Sequence, residues 1–75
     1  MYLSGTQVTD GGLEHLKELN QLEVLALNFA QITDAGLESL KGLNRLKTLD
    51  LAYTKVTDTG VKKLQEALPN CTINH

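Results

Sequence analysis

A repeat of 24 residues constrains the fold of this 75-residue chain more than any other feature. The segment Thr6–Asp10 recurs as Ala30–Asp34 and again as Thr54–Asp58. When residues 6–29 are laid over residues 30–53, thirteen of the 24 positions are identical. A period of about 20 to 50 residues indicates one supersecondary unit stacked on copies of itself, because a single unit cannot bury its apolar face alone.

Each repeat contains two hydrophobic patterns, which predict a short strand and a short helix. Leu-x-x-Leu-x-Leu occurs at residues 22–27 and 46–51, and the alternation of its last two leucines is typical of a half-buried strand. Leucines at every third position form a helical stripe, at 13, 16 and 19 and again at 37, 40 and 43. Thr9 and Asp10 stand before the first stripe, where either side chain could cap free helix amides. A glycine recurs in this first turn, at 12, 36 and 60, which indicates close packing between neighbouring repeats.

The whole chain is therefore predicted to be a single array over residues 1–75. It divides into a partial repeat at 1–5, repeats at 6–29 and 30–53, and a C-terminal capping-like repeat at 54–75. Met1 and Leu3 align with the strand leucines of the next repeat, so the chain is expected to begin inside a strand whose outer face is uncovered. At the other end, Cys71-Thr72-Ile73 is expected to form a closing strand, aligned with residues 49–51 after two residues are deleted.

Composition and charge argue against several classes of function. The net charge of −2 provides no basic patch of the kind that nucleic acids or anionic membranes require. A single cysteine excludes an intrachain disulfide, and no zinc-type cluster of Cys and His is present. The sequence contains neither a signal peptide nor a stretch near the roughly 20 apolar residues of a membrane span. Localisation remains open, with the cytoplasm favoured.

Leu-x-x-Leu-x-Leu followed by Thr-Asp-x-Gly-Leu resembles the leucine-rich repeat family. This Thr-Asp-x-Gly-Leu form is similar to repeats of F-box substrate receptors and of planctomycete-type bacterial proteins. The resemblance implies an α/β fold: a short solenoid with a concave parallel sheet of about four short strands, three helices on the convex side and right-handed crossovers. The family's usual Asn or Cys after the strand is replaced by Thr6, Ala30 and Thr54. An asparagine ladder is therefore not expected.

The resemblance implies recognition of a protein partner through the concave sheet, and the strand alternation points to the same surface. Residues between the core leucines should face outward, and two aromatic residues follow their strands at the edge of this face. The predicted partner-contact residues are Tyr2, Val24, Ala26, Asn28, Phe29, Thr48, Asp50 and Tyr53. For Phe29 and Tyr53 we favour the alternative that they cover the edge of the core, since aromatic side chains tend to be buried.

Other titratable and nucleophilic residues suggest no chemistry. Asp10, Asp34 and Asp58 recur at stacked positions, but helix capping explains them without a cation and no calcium-type loop surrounds them. The two histidines have no nucleophile and orienting acid beside them, as a catalytic triad requires. Cys71 occupies a core leucine position, which favours a buried hydrophobe over a reactive thiol. No catalytic residue, metal site or cofactor is predicted.

Two hypotheses for function remain. The first is a non-catalytic protein-interaction module that presents its concave sheet to a protein partner. The alternative is a self-associating structural fragment, in which a second copy covers the uncapped N-terminal repeat at Met1 and Leu3. Open strand edges and apolar ends favour such association, and a dimer is its simplest form. An enzyme is not expected, since the sequence contains no supporting constellation of residues.

Overall fold

The strand leucines lie at the centre of a parallel three-stranded sheet. The computed structural model describes residues 1–5 and 7–75. The strands are β1 (Val24–Ala26), β2 (Thr48–Asp50) and β3 (Thr72–Asn74), in the order β1-β2-β3. Val24 lies opposite Thr48, which lies opposite Thr72, so the pairing register preserves the repeat spacing of the sequence. The predicted mixed α/β solenoid is confirmed.

The expected first strand is reduced to one β-bridge. Tyr2 lies opposite Ala26 in the parallel orientation. The Leu3 amide donates to the Ala26 carbonyl at 2.8 Å, and the Gly5 amide donates to the Asn28 carbonyl at 2.9 Å. These bonds extend the sheet beyond β1, although the segment is too short to count as a fourth strand.

The closing strand has a different register from the one predicted. It comprises Thr72–Asn74, and Ile73 pairs with Leu49. The two-residue deletion, which would have aligned Cys71 with Leu49, is therefore wrong. The backbone bonds explain the register: the Thr72 amide donates to the Lys47 carbonyl at 2.8 Å, and the Leu51 amide donates to the Asn74 carbonyl at 2.6 Å. Cys71 is buried just before the strand.

Helices cover the other side of the sheet. The first two are α1 (Asp10–Leu13) and α2 (Asp34–Leu37), each followed by one 3₁₀ turn, at Glu14–Leu16 and Glu38–Leu40. The third, α3 (Asp58–Ala67), has ten residues. Helix α1 packs on α2, and α2 packs on α3. Among the described residues, no helix has the length and apolar character needed to cross a membrane.

The core lies between the sheet and the helices and is built almost entirely from leucine. Leu25 and Leu49 from the strands have no exposed surface, and neither do Leu27 directly after β1 and Leu13 and Leu40 from the helical side. Burying one such side chain contributes about 1.5–3 kcal/mol to the free energy of folding. The repeated leucines therefore supply most of the driving force that stacks one repeat on the next.

The position after each strand uses other residues in place of the family's asparagine. The Thr54 hydroxyl donates to the Leu51 carbonyl at 2.7 Å, and Ala30 is buried in the core. Thr6, at the same position in the first repeat, lies outside the described residues. The turn after β2 is therefore stabilised by a hydroxyl.

Candidate partner-binding surface

The concave face is the outer surface of the sheet, formed by strand residues that alternate with the core leucines. Val24, Thr48 and Thr72 form one exposed row across the three strands. The next row contains Ala26, Asp50 and Asn74. Alternation at period two places both rows on the side opposite the core. The structure thus brings Val24, Ala26, Thr48 and Asp50 together on one face, as the sequence predicted.

Within that face, Ala26 and Asp50 contribute little free surface. Ala26 is only 9% exposed, because its methyl group lies between the larger neighbours Tyr2 and Asp50 in the pairing register. The Asp50 carboxylate accepts from the Ala52 amide at 3.0 Å and from the Asn74 side-chain amide at 3.2 Å. Because both bonds hold the carboxylate in place, it can offer a partner a fixed acceptor.

The first row, and Tyr2 beside Ala26 at the end of the second row, are more accessible. Tyr2 is 80% exposed, and Val24 and Thr48 are also exposed. Asn28 is half-buried, and its side-chain oxygen accepts a hydrogen bond from the Ser4 hydroxyl. Among the described residues of the two rows, Asp50 carries the only charge. Apart from the one negative group of Asp50, the described part of the concave face is uncharged and combines apolar and polar side chains.

Phe29 and Tyr53 form an exposed pair, here called the aromatic lip, at the edge of the concave face. Their rings stack with centroids 4.7 Å apart and planes 6° apart. The exposed fractions are 58% for Phe29 and 79% for Tyr53. The favoured prediction that these rings cover the edge of the core is wrong. Both rings are mostly exposed to solvent, and they contact each other.

The backbone at the lip is strained. Phe29 has φ of 66° and Tyr53 has φ of 59°, both in the left-handed region. An L-residue in this region costs about 1–2 kcal/mol, whereas a stacked aromatic pair contributes about 0.5–1.5 kcal/mol. Stacking therefore offsets at most part of the strain of two residues. Gly5 adopts the same left-handed conformation, so this conformation belongs to the repeated turn.

The sequence predicts helix capping for the recurring aspartates, but the structure gives Asp10 and Asp34 another role. The N-caps are the threonines Thr9, Thr33 and Thr57. Each of the first two aspartates binds the threonine of the next repeat: Asp10 accepts from the Thr33 amide at 2.8 Å, and Asp34 accepts from the Thr57 amide at 2.8 Å. The same carboxylates also accept from the Thr33 and Thr57 hydroxyls. These aspartates link repeats.

The hydrogen bonds between Asp34 and Thr57 also change the pKa of Asp34. The Thr57 hydroxyl and, secondarily, its backbone amide hold the pKa of Asp34 below its ordinary value. The Thr57 oxygen in turn accepts from the Gly60 amide at 3.1 Å, which caps α3. The third aspartate, Asp58, is almost fully exposed and lies 3.2 Å from the His75 ring nitrogen.

The remaining candidate groups form no reactive cluster. Burial raises the pKa of the Cys71 thiol, which disfavours the nucleophilic thiolate. His15 is exposed on the helical side. Among residues 1–5 and 7–75, no group of three metal-ligating side chains is close enough to hold an ion.

The N-terminal face exposes apolar side chains at the end of the array. Met1 is 41% exposed and Leu19 is 40% exposed, while Leu3 and Leu22 are half-buried. A cleft of about 370 Å³ lies between Met1 and the segment 18–22. Leu19 was not singled out from the sequence as part of this face. Its match with the buried Leu43 one repeat later could have identified it.

The comparisons with known proteins agree with the architecture. The family model described as Leucine Rich repeat matches residues 18–41 and 43–64, which is more than half of the chain. A search of curated proteins found no matching relative. From the stacked strand–helix units and this match, we conclude that the chain belongs to the leucine-rich repeat family, whose repeats generally serve as non-enzymatic protein-binding modules.

Proposed function

We propose that this chain is a non-catalytic protein-interaction module that contacts a protein partner with its concave face and aromatic lip. The aromatic lip is the observation that carries the proposal. Aromatic side chains are favoured as interface anchors, because they bury a large area at a small cost in side-chain entropy. Here the two rings stack on each other, which limits the side-chain freedom that remains to be lost on binding.

The character of the concave face supports a protein as the partner. Exposed Val24, Thr48 and Tyr2 provide mixed apolar and hydroxyl contacts, and Asp50 provides one negative group. A nucleic acid or an anionic membrane would need positive charge on this face. We also propose that the repeats are related to the Thr-Asp-x-Gly-Leu repeats of F-box substrate receptors and planctomycete-type proteins. Residues 1–75 would then form a single repeat array.

A capture experiment with matched variants tests the proposal. The immobilised chain and two variants are exposed to an extract of the cells that produce it, and bound proteins are quantified by mass spectrometry. The variant Phe29→Asn/Tyr53→Asn removes the lip but keeps residues that tolerate positive φ. Lys62→Ala, on exposed helical surface, is the control. We expect a protein retained by the wild type and the control but lost with the lip variant; equal capture by all three would overturn the proposal.

The second candidate function is self-association through the N-terminal face. The observation that favours it is the exposure of Met1 and Leu19 beside an apolar cleft. A second copy that covers this face would remove those side chains from water, and a dimer is the simplest assembly. Sedimentation equilibrium tests it, because a dimer raises the mass above 8.2 kDa as the concentration increases. A constant monomer mass would rule it out.

A further inference from the structure

Among residues 1–5 and 7–75, the left-handed backbone position of the aromatic lip occurs once more, and there it is occupied by glycine. Gly5, Phe29 and Tyr53 are spaced one repeat apart in the sequence. Their φ angles are 67°, 66° and 59°, so the same turn is built three times. Two of the three positions carry a ring, and the first carries only a hydrogen.

This difference ends the ring stack at Phe29. Adjacent strands of a sheet lie about 4.7–4.9 Å apart, and the rings of Phe29 and Tyr53 keep this spacing. One face of the Phe29 ring is covered by Tyr53. On the side of the first repeat, a Cβ atom added to Gly5 would meet no atom within 4 Å among the described residues beyond its chain neighbours. The place of a third ring in the stack is therefore open.

The open place belongs to a cleft of about 440 Å³. Its lining residues are Gly5, Gln7, Thr9, Phe29 and Gln31. Phe29 provides an aromatic wall, Gly5 allows close approach of a ligand to the backbone, and the other three provide a polar rim. Side-chain oxygens of two glutamines and a threonine can accept hydrogen bonds. None of the five lining residues carries a charge, and the chain as a whole is negative by two charges.

These features match the chemistry of an arginine side chain. A guanidinium group is planar, stacks on aromatic rings and carries five N–H donors around its edge. Its face would lie on Phe29, where the ring attracts a cation, and its edge would donate to the glutamine and threonine oxygens. An aromatic ligand would use the wall but leave the rim unpaired. A lysine would provide charge but no plane.

We propose that the cleft beside Phe29 binds an arginine side chain of the protein partner, stacked in the place of the missing third ring. The inference rests on the proposed function, because the arginine belongs to the protein that contacts the aromatic lip. It adds a specificity-determining position, Gly5, whose lack of a side chain keeps the cleft open.

Peptide titration of the full chain tests the inference. Blocked tripeptides Gly-Arg-Gly, Gly-Lys-Gly and Gly-Tyr-Gly are added, and amide chemical shifts are followed by NMR. We expect the arginine peptide to shift Gly5, Phe29 and Gln31 saturably, and the other two to bind about fivefold more weakly. Equal binding of all three peptides, tighter binding of the tyrosine peptide, or no shift at these residues would overturn the inference.

Two variants and a matched control separate the cleft from the rest of the surface. Gly5→Tyr should complete the ring stack and abolish binding of the arginine peptide. The substitution is compatible with the backbone, since Phe29 and Tyr53 adopt a similar φ at the equivalent positions of the next two repeats. Phe29→Asn should also abolish it, and this variant keeps the test decisive if Gly5→Tyr fails to fold. Gly42→Tyr places the same ring at another glycine with open space around it and should bind as the wild type does. Binding that survives in both cleft variants would contradict the inference.

Failure of this inference can be told apart from failure of the proposed function. If Gly5→Tyr still captures the cellular partner while Phe29→Asn/Tyr53→Asn does not, the lip is a binding surface but the cleft holds no arginine. If both variants capture the partner fully, the proposed function itself is wrong.

Discussion

At the scale of single residues, the contact between an aspartate and the next threonine determines how closely two repeats can stack. Asp10 reaches across to Thr33 and Asp34 reaches across to Thr57, each accepting a backbone and a hydroxyl hydrogen bond. The carboxylate then occupies the space where the glycine of the next helix lacks a side chain. The recurring glycine and the recurring aspartate are therefore two parts of one contact.

This contact predicts that the glycines differ in their tolerance of alanine. A Cβ on Gly36 would lie 2.9 Å from Leu13 Cδ1 and still closer to the Asp10 carboxylate. Moving that carboxylate breaks its bonds to Thr33, so we expect Gly36→Ala to lower the free energy of unfolding by about 1–3 kcal/mol. Urea denaturation measures the change.

Gly12→Ala is the matched control for this prediction. A Cβ on Gly12 would lie 3.7 Å from Val8 Cγ1, an ordinary contact. Alanine is favoured over glycine in a helix by up to about 1 kcal/mol, so the control should be neutral or stabilising. If Gly12→Ala and Gly36→Ala destabilise the chain equally, helix context and not the aspartate explains the glycines.

The contact between Asp34 and Thr57 predicts that the stability of the fold depends on pH. Thr57 holds the pKa of Asp34 below its ordinary value, because its hydrogen bonds stabilise the ionised carboxylate in the folded state and are absent in the unfolded state. The resulting stabilisation is complete above the unfolded pKa of about 3.9. It is lost as the pH falls from there through the lowered folded pKa.

Asp34→Asn removes the titrating group and serves as the comparison. The difference in urea midpoint between wild type and Asp34→Asn should be constant from neutral pH to about pH 5 and should shrink in more acidic solution. A difference that grows on acidification would mean that the folded state raises the pKa.

At the scale of elements, leucine spacing determines which kind of helix forms in each repeat. Leu40 and Leu43 are three residues apart, and the Leu43 amide donates to the Leu40 carbonyl at 3.1 Å, a 3₁₀ bond. In the last repeat Ala67 replaces the second leucine and Leu68 is buried instead. The Leu68 amide donates to the Leu64 carbonyl at 2.9 Å, an α-helical bond. Helix α3 is therefore longer than its counterparts.

Much of the fold, but less of the surface, could be predicted from the sequence. The period and the leucine alternation predicted parallel strands, outer helices and the buried leucines, because burial dominates those choices. The link between Asp34 and Thr57 could not be predicted, since residues 23 positions apart meet only after stacking. The exposure of Tyr53 could not be predicted, because the general tendency of aromatic side chains to be buried carries no information about the left-handed turn in which this residue lies.

A matched pair of leucines tests how far each repeat depends on its neighbour. Leu19 and Leu43 occupy the same position, but Leu19 is 40% exposed and Leu43 has no exposed surface. Leu43→Ala should cost about 2–5 kcal/mol of unfolding free energy. Leu19→Ala should cost less than half as much, and equal urea midpoints for the two variants would contradict this comparison.

At the scale of the whole molecule, the N-terminal face lacks the burial that the middle of the array has. Val8 and Leu19 of the first repeat are partly exposed, while their counterparts Ile32 and Leu43 in the second are fully buried. Full burial of a large apolar side chain contributes about 1.5–3 kcal/mol. The side chains of this face are already partly buried, so covering them in a dimer would contribute only part of that free energy for each residue. Since association itself costs at least about 4 kcal/mol, self-association through this face should be weak.

Because association through this face is weak, a dimer should form only at high protein concentration. At about 1 mM chain, where a binding free energy of roughly 4 kcal/mol is sufficient, we expect an average mass above the 8.2 kDa of the monomer. Leu19→Lys and Leu3→Lys should each restore the monomer, because a second copy would have to bury the new charge. Thr48→Lys adds the same charge on the concave face and should leave the mass unchanged. Light scattering across a dilution series measures all four proteins, and a dimer that persists in Leu19→Lys but dissociates in Thr48→Lys would assign the interface to the concave face instead.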